Sequence, residues 1–259
     1  MSTSSASLAP AQIIRGGVRL GGVSKSFGQR GQTPALDRLN LDIPPGQFLT
    51  VVGASGCGKS TMLSLIAGLD APTSGRLDVG GTVALMFQEA TLLPWLTAWQ
   101  NVALALRLRG VPRSERRDRA HELLSRVHLG QAAGKRPHEL SGGMRQRVAL
   151  ARVLAQDAAV VCMDEPLGAL DAMTRDQMHD EIEGVWAANG FTVVFVTHNV
   201  REAIRLGDRV ILLGSSPGRV VQDITVDLPR PRRIDSADVA ERAAALTQAL
   251  RSEVTRHVG

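Results

Sequence analysis

Sulfur is scarce in this chain, with two cysteines among 259 residues. Cys57 falls in a glycine-rich turn and Cys162 inside an apolar run; neither their spacing nor their neighbours suggest a metal, and a disulfide framework is excluded. No apolar segment approaches the length needed to span a bilayer, and residues 1–12 lack the charged start and apolar middle of a secretory signal. The expectation is a protein that stays in the cytoplasm. Long blocks of one charge sign are also missing. Thirty Lys and Arg scatter between 25 Asp and Glu, for a net charge of +5, so a nucleic-acid role is permitted but not requested. What is present is ordinary globular material, 44% apolar and 21% charged. The length suits one large domain, or one domain plus a subdomain.

One stretch organises the rest. Gly53-Ala54-Ser55-Gly56-Cys57-Gly58-Lys59-Ser60-Thr61 follows the apolar run Phe48–Val52 and precedes the helical pattern Met62–Ala67. This is the spacing of a phosphate loop between a buried strand and a helix. Glycines let the backbone turn tightly, so successive N–H groups and the positive helix end form one anion nest. Lys59 places an ammonium on the outer phosphates, and the Ser60 hydroxyl is placed to ligate a magnesium ion that bridges phosphate oxygens. A glycine turn built for packing alone has no need of Lys followed by Ser.

Along the chain, residues 1–14 read as a loose Ser/Ala-rich tail. Val18–Phe27 and Leu39–Ile43 alternate apolar and polar residues between Gly and Pro, as an antiparallel β region does. Phe27 offers either a π-face for a purine or plain core. Asp70–Gly75 reads as a turn, and Thr82–Phe87 as a second buried strand. Gln88 follows it, where a carboxamide can accept from metal-bound water and donate to a phosphate. Residues 91 to about 140 change to helical patterns, Asn101–Arg109 and Ser114–His128, with Ser114 as N-cap and a thin apolar stripe of Ala120, Leu123, Leu124 and Val127. Trp95 and Trp99 read either as anchors for a partner or as subdomain core.

Ser141 then caps a long helix through Ala155, and Gly142 and Gly143 bare its N-terminus to close approach by a phosphate. It has no lysine of its own, so it reads as half of a site. Ala158–Met163 reads as a buried parallel strand ending in Asp164-Glu165-Pro166. Asp164 stands where open α/β sheets place ligand groups and can hold magnesium through water. Glu165, beyond the metal shell, can polarise an attacking water as a general base. A turn and a helix through Trp186 follow, and a third core strand, Phe191–Thr197, ends at His198, able to donate to a γ-phosphate. The other five histidines lie in polar helical or loop contexts where exposure is the default. Two more strands, Asp208–Leu213 and Val220–Val226, precede the run Pro229-Arg230-Pro231-Arg232 and an amphipathic helix from Ala237 to about Val254.

Taken in order, the phosphate loop, Gln88, Leu140–Arg147, the strand with Asp-Glu-Pro, Ala169-Leu170-Asp171 and His198 resemble the ATP-binding subunits of ABC transporters, from about residue 18 to 226. The resemblance implies an α/β fold, a P-loop NTPase (ABC ATPase) with a RecA-like core, an antiparallel β subdomain and a helical subdomain. Its expected divisions are a tail (1–14), a nucleotide-binding domain (15–236, helical subdomain about 91–141) and a C-terminal helix (237–259). It implies ATP and Mg2+ as ligands, and a homodimer whose Ser141, Gly142 and Gly143 face ATP held by Lys59 of the other copy. It further implies Phe27 as the adenine stack, Gln88 as the link to a permease, Asp171 as a cross-dimer contact and His198 as the γ-phosphate switch. Phe27 departs from the more usual tyrosine, and a hydroxyl is lost with it. The run Leu92-Leu93-Pro94-Trp95, Gly168–Asp171 and the Pro-Arg-Pro-Arg segment look like the nitrate, sulfonate and taurine importer branch, closest to aliphatic sulfonates. The expected partners are transmembrane permease subunits at the cytoplasmic face of the membrane and, through them, an extracellular solute-binding protein, with no nucleic acid. Rival readings are a soluble ABC-type ATPase on nucleic acid or ribosomes, which the pI of about 10.2 keeps open, and a small-molecule kinase, against which Glu165 and the Leu-Ser-Gly-Gly run both argue.

Overall fold

A computed structural model describes residues 13–28, 33–215 and 217–258. The segment expected to be a tail lies outside the described residues as far as Gln12. Two sheets build the molecule. In the smaller, β1 (Val18–Lys25) runs antiparallel to both β2 (Leu36–Ile43) and β4 (Ser74–Val79). β4 starts inside the stretch read as a turn: its polar SGRLDV sequence carries little strand signal, and pairing of Val18 with Val79 and Leu20 with Leu77 makes it a strand.

The larger sheet has the order β5-β6-β7-β3-β8-β9, with β3 (Phe48–Gly53), β5 (Val83–Met86), β6 (Val160–Asp164), β7 (Thr192–Val196), β8 (Arg209–Leu213) and β9 (Val220–Thr225). The first five are parallel, and only β9 pairs antiparallel. Helices cover both faces, which is why β3, β6 and β7 are near-continuous apolar runs. Phe48, Val161, Met163, Val193 and Phe195 face one side, where α2 (Ala98–Leu108), α3 (Arg113–Arg126), α4 (Gly142–Ala155) and α5 (Ala172–Asn189) close a common core. Leu49, Val51, Cys162, Val194 and Val196 face the other, under α1 (Lys59–Ile66) and the antiparallel sheet.

Some expectations change. Pro112, not Ser114, precedes the first turn of α3, because proline presets its own φ and the helix starts at Arg113. The two tryptophans divide the two readings: Trp95 is 67% exposed, whereas Trp99 packs on the helical core and stacks on His121. A short helix, α6 (Val200–Leu206), follows His198, and α7 (Ala237–Val258) packs over it through Val239, Ala243 and Leu246. The Pro-Arg-Pro-Arg run is a clamp. Arg230 bonds Glu183 and Asp208 and lies over the Trp186 ring at 4.5 Å. Arg232, buried, donates to the carbonyls of Ile204 (2.9 Å), Gly207 (2.5 Å) and Val226 (3.2 Å), closing the end of α6.

Candidate functional site

The candidate residues come together because four adjacent parallel strands end on one edge. β3 delivers the phosphate loop, its neighbour β7 delivers His198, β6 delivers Asp164 and Glu165, and β5 delivers Gln88. Register fixes their level: Val51 pairs with Val196, and Val196 with Asp164. Ligands of open parallel sheets bind at this carboxyl edge.

The loop is shaped by its glycines. A Cβ on Gly53 would lie 2.6 Å from both Cys57 Sγ and Leu213 O, and Gly58, at φ +95°, opens α1 with no side-chain cap. The first turn of α1 contains no acidic residue, so its orphan N–H groups are available to an anion. Ser55, Gly56 and Ser60 are exposed, Ala54, Gly58 and Thr61 half-buried. Lys59 is buried, its Nζ donating to Gly53 O (2.8 Å) and Ala54 O (2.9 Å) across the mouth of the nest. Burial pushes the Cys57 thiol upward, and that of Cys162 more so.

Glu165 adopts φ +44°, a conformation that non-glycine residues rarely hold and that is retained where surroundings enforce it. Here its N–H donates to Val196 O at 2.9 Å and Pro166 follows. The turn brings Glu165 Oε2 to 3.0 Å from His198 Nδ1. The carboxylate is partly covered and the imidazole largely exposed. The side chain of Gln88 lies beside the same turn: a Cβ on Gly168 would stand 3.0 Å from Gln88 Nε2. Ser60 is exposed and Asp164 half-buried; two oxygens of this kind would suit magnesium, which keeps several waters and takes phosphate oxygens as further ligands. Among the described residues no group of three or more His, Cys, Asp or Glu could hold a metal by itself. Phe27, two residues past β1, is exposed with the Lys25 ammonium 5.0 Å from its ring centroid; Lys25 is itself held by Asp70 at 2.5 Å.

The second helix terminus stands apart. Ser141 caps α4 by accepting from Met144 N at 3.2 Å, and Ser141 and Gly142 are exposed. Gly143 is buried: its missing Cβ would meet Thr174 Cγ2 at 2.3 Å. α4 rides on the sheet face opposite α1, so a single copy carries these two helix N-termini on different layers. Asp171 caps α5, accepting from Thr174 N (3.0 Å) and Thr174 Oγ1 (2.7 Å). Those two bonds hold its carboxyl below the usual range.

The model of the family described as ABC transporter matches residues 36–168. An aliphatic sulfonates import ATP-binding protein, SsuB, of Pectobacterium atrosepticum is 47% identical over 92% of this chain and 89% of its own length. The chain belongs to the ABC transporter family. Another member, the ATP-binding protein MJ0412 of Methanocaldococcus jannaschii, is 44% identical over 86% of both chains. A solved dimer of the ATP-binding cassette MJ0796 in a post-hydrolysis state with ADP and Pi superposes with a TM-score of 0.72, at 34% identity, covering 82% of this chain and all of that one.

Within this cassette the sequence missed several supports. Gln146 Nε2 donates to Gln88 O (2.5 Å), and Arg152 to Ala90 O (3.0 Å) and Thr91 O (2.9 Å), so α4 grips the segment after β5. His179, one of the five histidines expected on the surface, is fully buried against Glu202. Its signal was Ile182, an apolar residue one helical turn further on, which shares its face.

Proposed function

We propose that the chain is the ATP-hydrolysing subunit of an importer for aliphatic sulfonates, working at the cytoplasmic face of a membrane on separate permease subunits that receive solute from an extracellular binding protein. The observation that carries the reading is the single sheet edge on which Lys59, Asp164, Glu165, His198 and Gln88 are gathered by β3, β7, β6 and β5. Residues 15–236 form the nucleotide-binding domain, with a helical subdomain at about 91–141 and the C-terminal helix from 237.

In this reading the N–H groups of residues 53–61 and the Lys59 ammonium hold the outer phosphates. Ser60, Asp164 and Gln88 would hold magnesium, which when bound draws charge off the phosphate oxygens. Glu165 takes the proton of the attacking water. His198, bonded to Glu165, orients that carboxylate and reaches the terminal phosphate. Phe27 stacks on the adenine. The site is completed in trans: Ser141, Gly142, Gly143 and Asp171 come from a second copy facing the opposite way, as the exposed N-terminus of α4 invites. ATP then favours the closed dimer by the contacts it makes to both copies, and hydrolysis withdraws that preference.

The test is Glu165→Gln. It should bind ATP, accumulate as a dimer in ATP by size-exclusion chromatography, and hydrolyse about 10²–10⁴-fold more slowly. Normal turnover removes Glu165 from the mechanism. For the solute, deletion should abolish growth on an aliphatic sulfonate as sole sulfur source, and unchanged growth rejects the sulfonate assignment.

A further inference from the structure

The nucleotide chemistry makes no direct use of the buried charge cluster behind His198. His179 projects from the middle of α5 into the core, where His179 Nε2 meets Glu202 Oε1 at 2.7 Å. The other Glu202 oxygen accepts from the Thr197 hydroxyl. The Thr197 oxygen accepts from Asn199 N at 3.0 Å, and Asn199 Oδ1 caps α6 by accepting from Arg201 N (3.0 Å) and Glu202 N (3.3 Å). Both residues flanking His198 are therefore held from one buried carboxylate, and that carboxylate is held from α5. With Glu202 accepting on both oxygens, His179 donates to it through Nε2. Nδ1 is buried with no hydrogen-bond partner, 3.6 Å from Asp176 Oδ1. Burying such a group costs free energy that an apolar side chain would not, so stability alone does not explain the pair. Orientation does.

The same helix is gripped elsewhere. Thr174 abuts Gly143, Glu181 bonds Arg147 of α4 at 2.8 Å, and Arg175 donates to Leu170 O (2.8 Å) in the turn after Glu165. α5 thus joins the Asp171 turn and the start of α4 to the strand end that bears His198.

We propose that His179 and Glu202 are a positioning pair that fixes the His198 loop to α5, so that a neighbour docking on the Asp171 end of α5 sets the His198 imidazole for the terminal phosphate. This rests on the nucleotide reading above. Neither residue touches nucleotide; both act through His198.

The experiment uses the full chain with Mg-ATP and compares His179→Leu, His179→Gln, His198→Ala and the double variant H179L/H198A. H179L should lower kcat by about tenfold or more, toward the ~100-fold that an ångström of misplacement costs, while the dissociation constant for a fluorescent ATP analogue stays within about twofold. H179Q, whose amide still donates to Glu202, should recover kcat to within about threefold of the parent, and H179L/H198A should be no slower than H198A alone. Unchanged kcat in H179L, an equal loss of analogue binding, no rescue by H179Q, or losses that multiply in the double variant would each overturn the proposal. Should H179L not fold, Thr197→Val against Thr197→Ser reads the same relay from its far side: loss with V and retention with S supports it, and equal rates reject it. Parent protein without Mg-dependent ATPase, or E165Q turning over normally, would instead sink the nucleotide reading itself.

Discussion

Two helix N-termini in this molecule face the same electrostatic problem and solve it differently. α1 opens with left-handed glycine, no side-chain cap, no acid in its first turn, and a lysine whose ammonium lies across the nest. α4 opens with a serine that satisfies one of its own N–H groups and two glycines, of which only the first is exposed. In the proposed reading the first terminus is a whole anion site with its cation included; the second is a partial one, with dipole and access but no charge of its own. They also lie on opposite faces of the central sheet. A half-equipped terminus on the opposite sheet face from the whole one is what the proposed site shared between copies requires.

The sharpest way to break that contrast is to remove the cation. Lys59→Ala should reduce ATPase by about 10²–10³-fold, the scale of losing a preorganised group on developing charge. Mixing this variant with one bearing Ser141→Arg should restore part of the activity, because one of the two composite sites in a mixed dimer then has both halves intact; no recovery in the mixture would mean that each copy works alone. Next in size is Gly143→Ala. Its methyl meets Thr174 Cγ2, so a loss of ~1–3 kcal/mol in urea unfolding is expected from overpacking. Thr174→Ser should rescue it, since serine drops the offending methyl and keeps the hydroxyl that donates to Asp171. Wild-type stability in G143A would show that the close approach is not a constraint.

The smallest effect is a pH dependence. Thr174's backbone N–H, then its hydroxyl, depress the Asp171 carboxyl, so its contribution to stability is present above the ordinary carboxylate range and is lost as pH falls through the lowered folded value. Asp171→Asn keeps a capping side chain but does not titrate. Any stability gap between it and the parent at neutral pH should therefore close as pH falls below the ordinary carboxylate range and through the lowered folded value. A gap that persists there would mean the cap does not depend on charge.

Spacing made the phosphate loop, the Ser141 cap and the Asp164-Glu165 strand end legible, because each is a local pattern of residue types within a few positions. The buried parallel strands were equally plain, as unbroken apolar runs. What sequence did not reveal is non-local. Nothing in Phe48–Gly53 says that β7 and β8 will flank it, and it is that order which lines up Lys59, His198, Glu165 and Gln88. α6 is seven residues long, too short for its periodicity to stand out. Ser114 was read as a cap because its hydroxyl can accept a backbone bond, whereas the proline two positions earlier already fixes the entry. His179 shares a helix with Asp176, Asp180 and Glu181, and so it read as solvated; only the packing of α6 across it turns one carboxylate inward.

Arg232 gives the C-terminal strap a role in the timing of folding. A helix as short as α6 does not hold itself together in water, and its far end is closed by an arginine some twenty-five positions downstream. During synthesis the segment that bears His198 leaves the ribosome before the side chain that secures its neighbour. The far end of α6 is therefore closed only after residues 229–232 have folded back onto it.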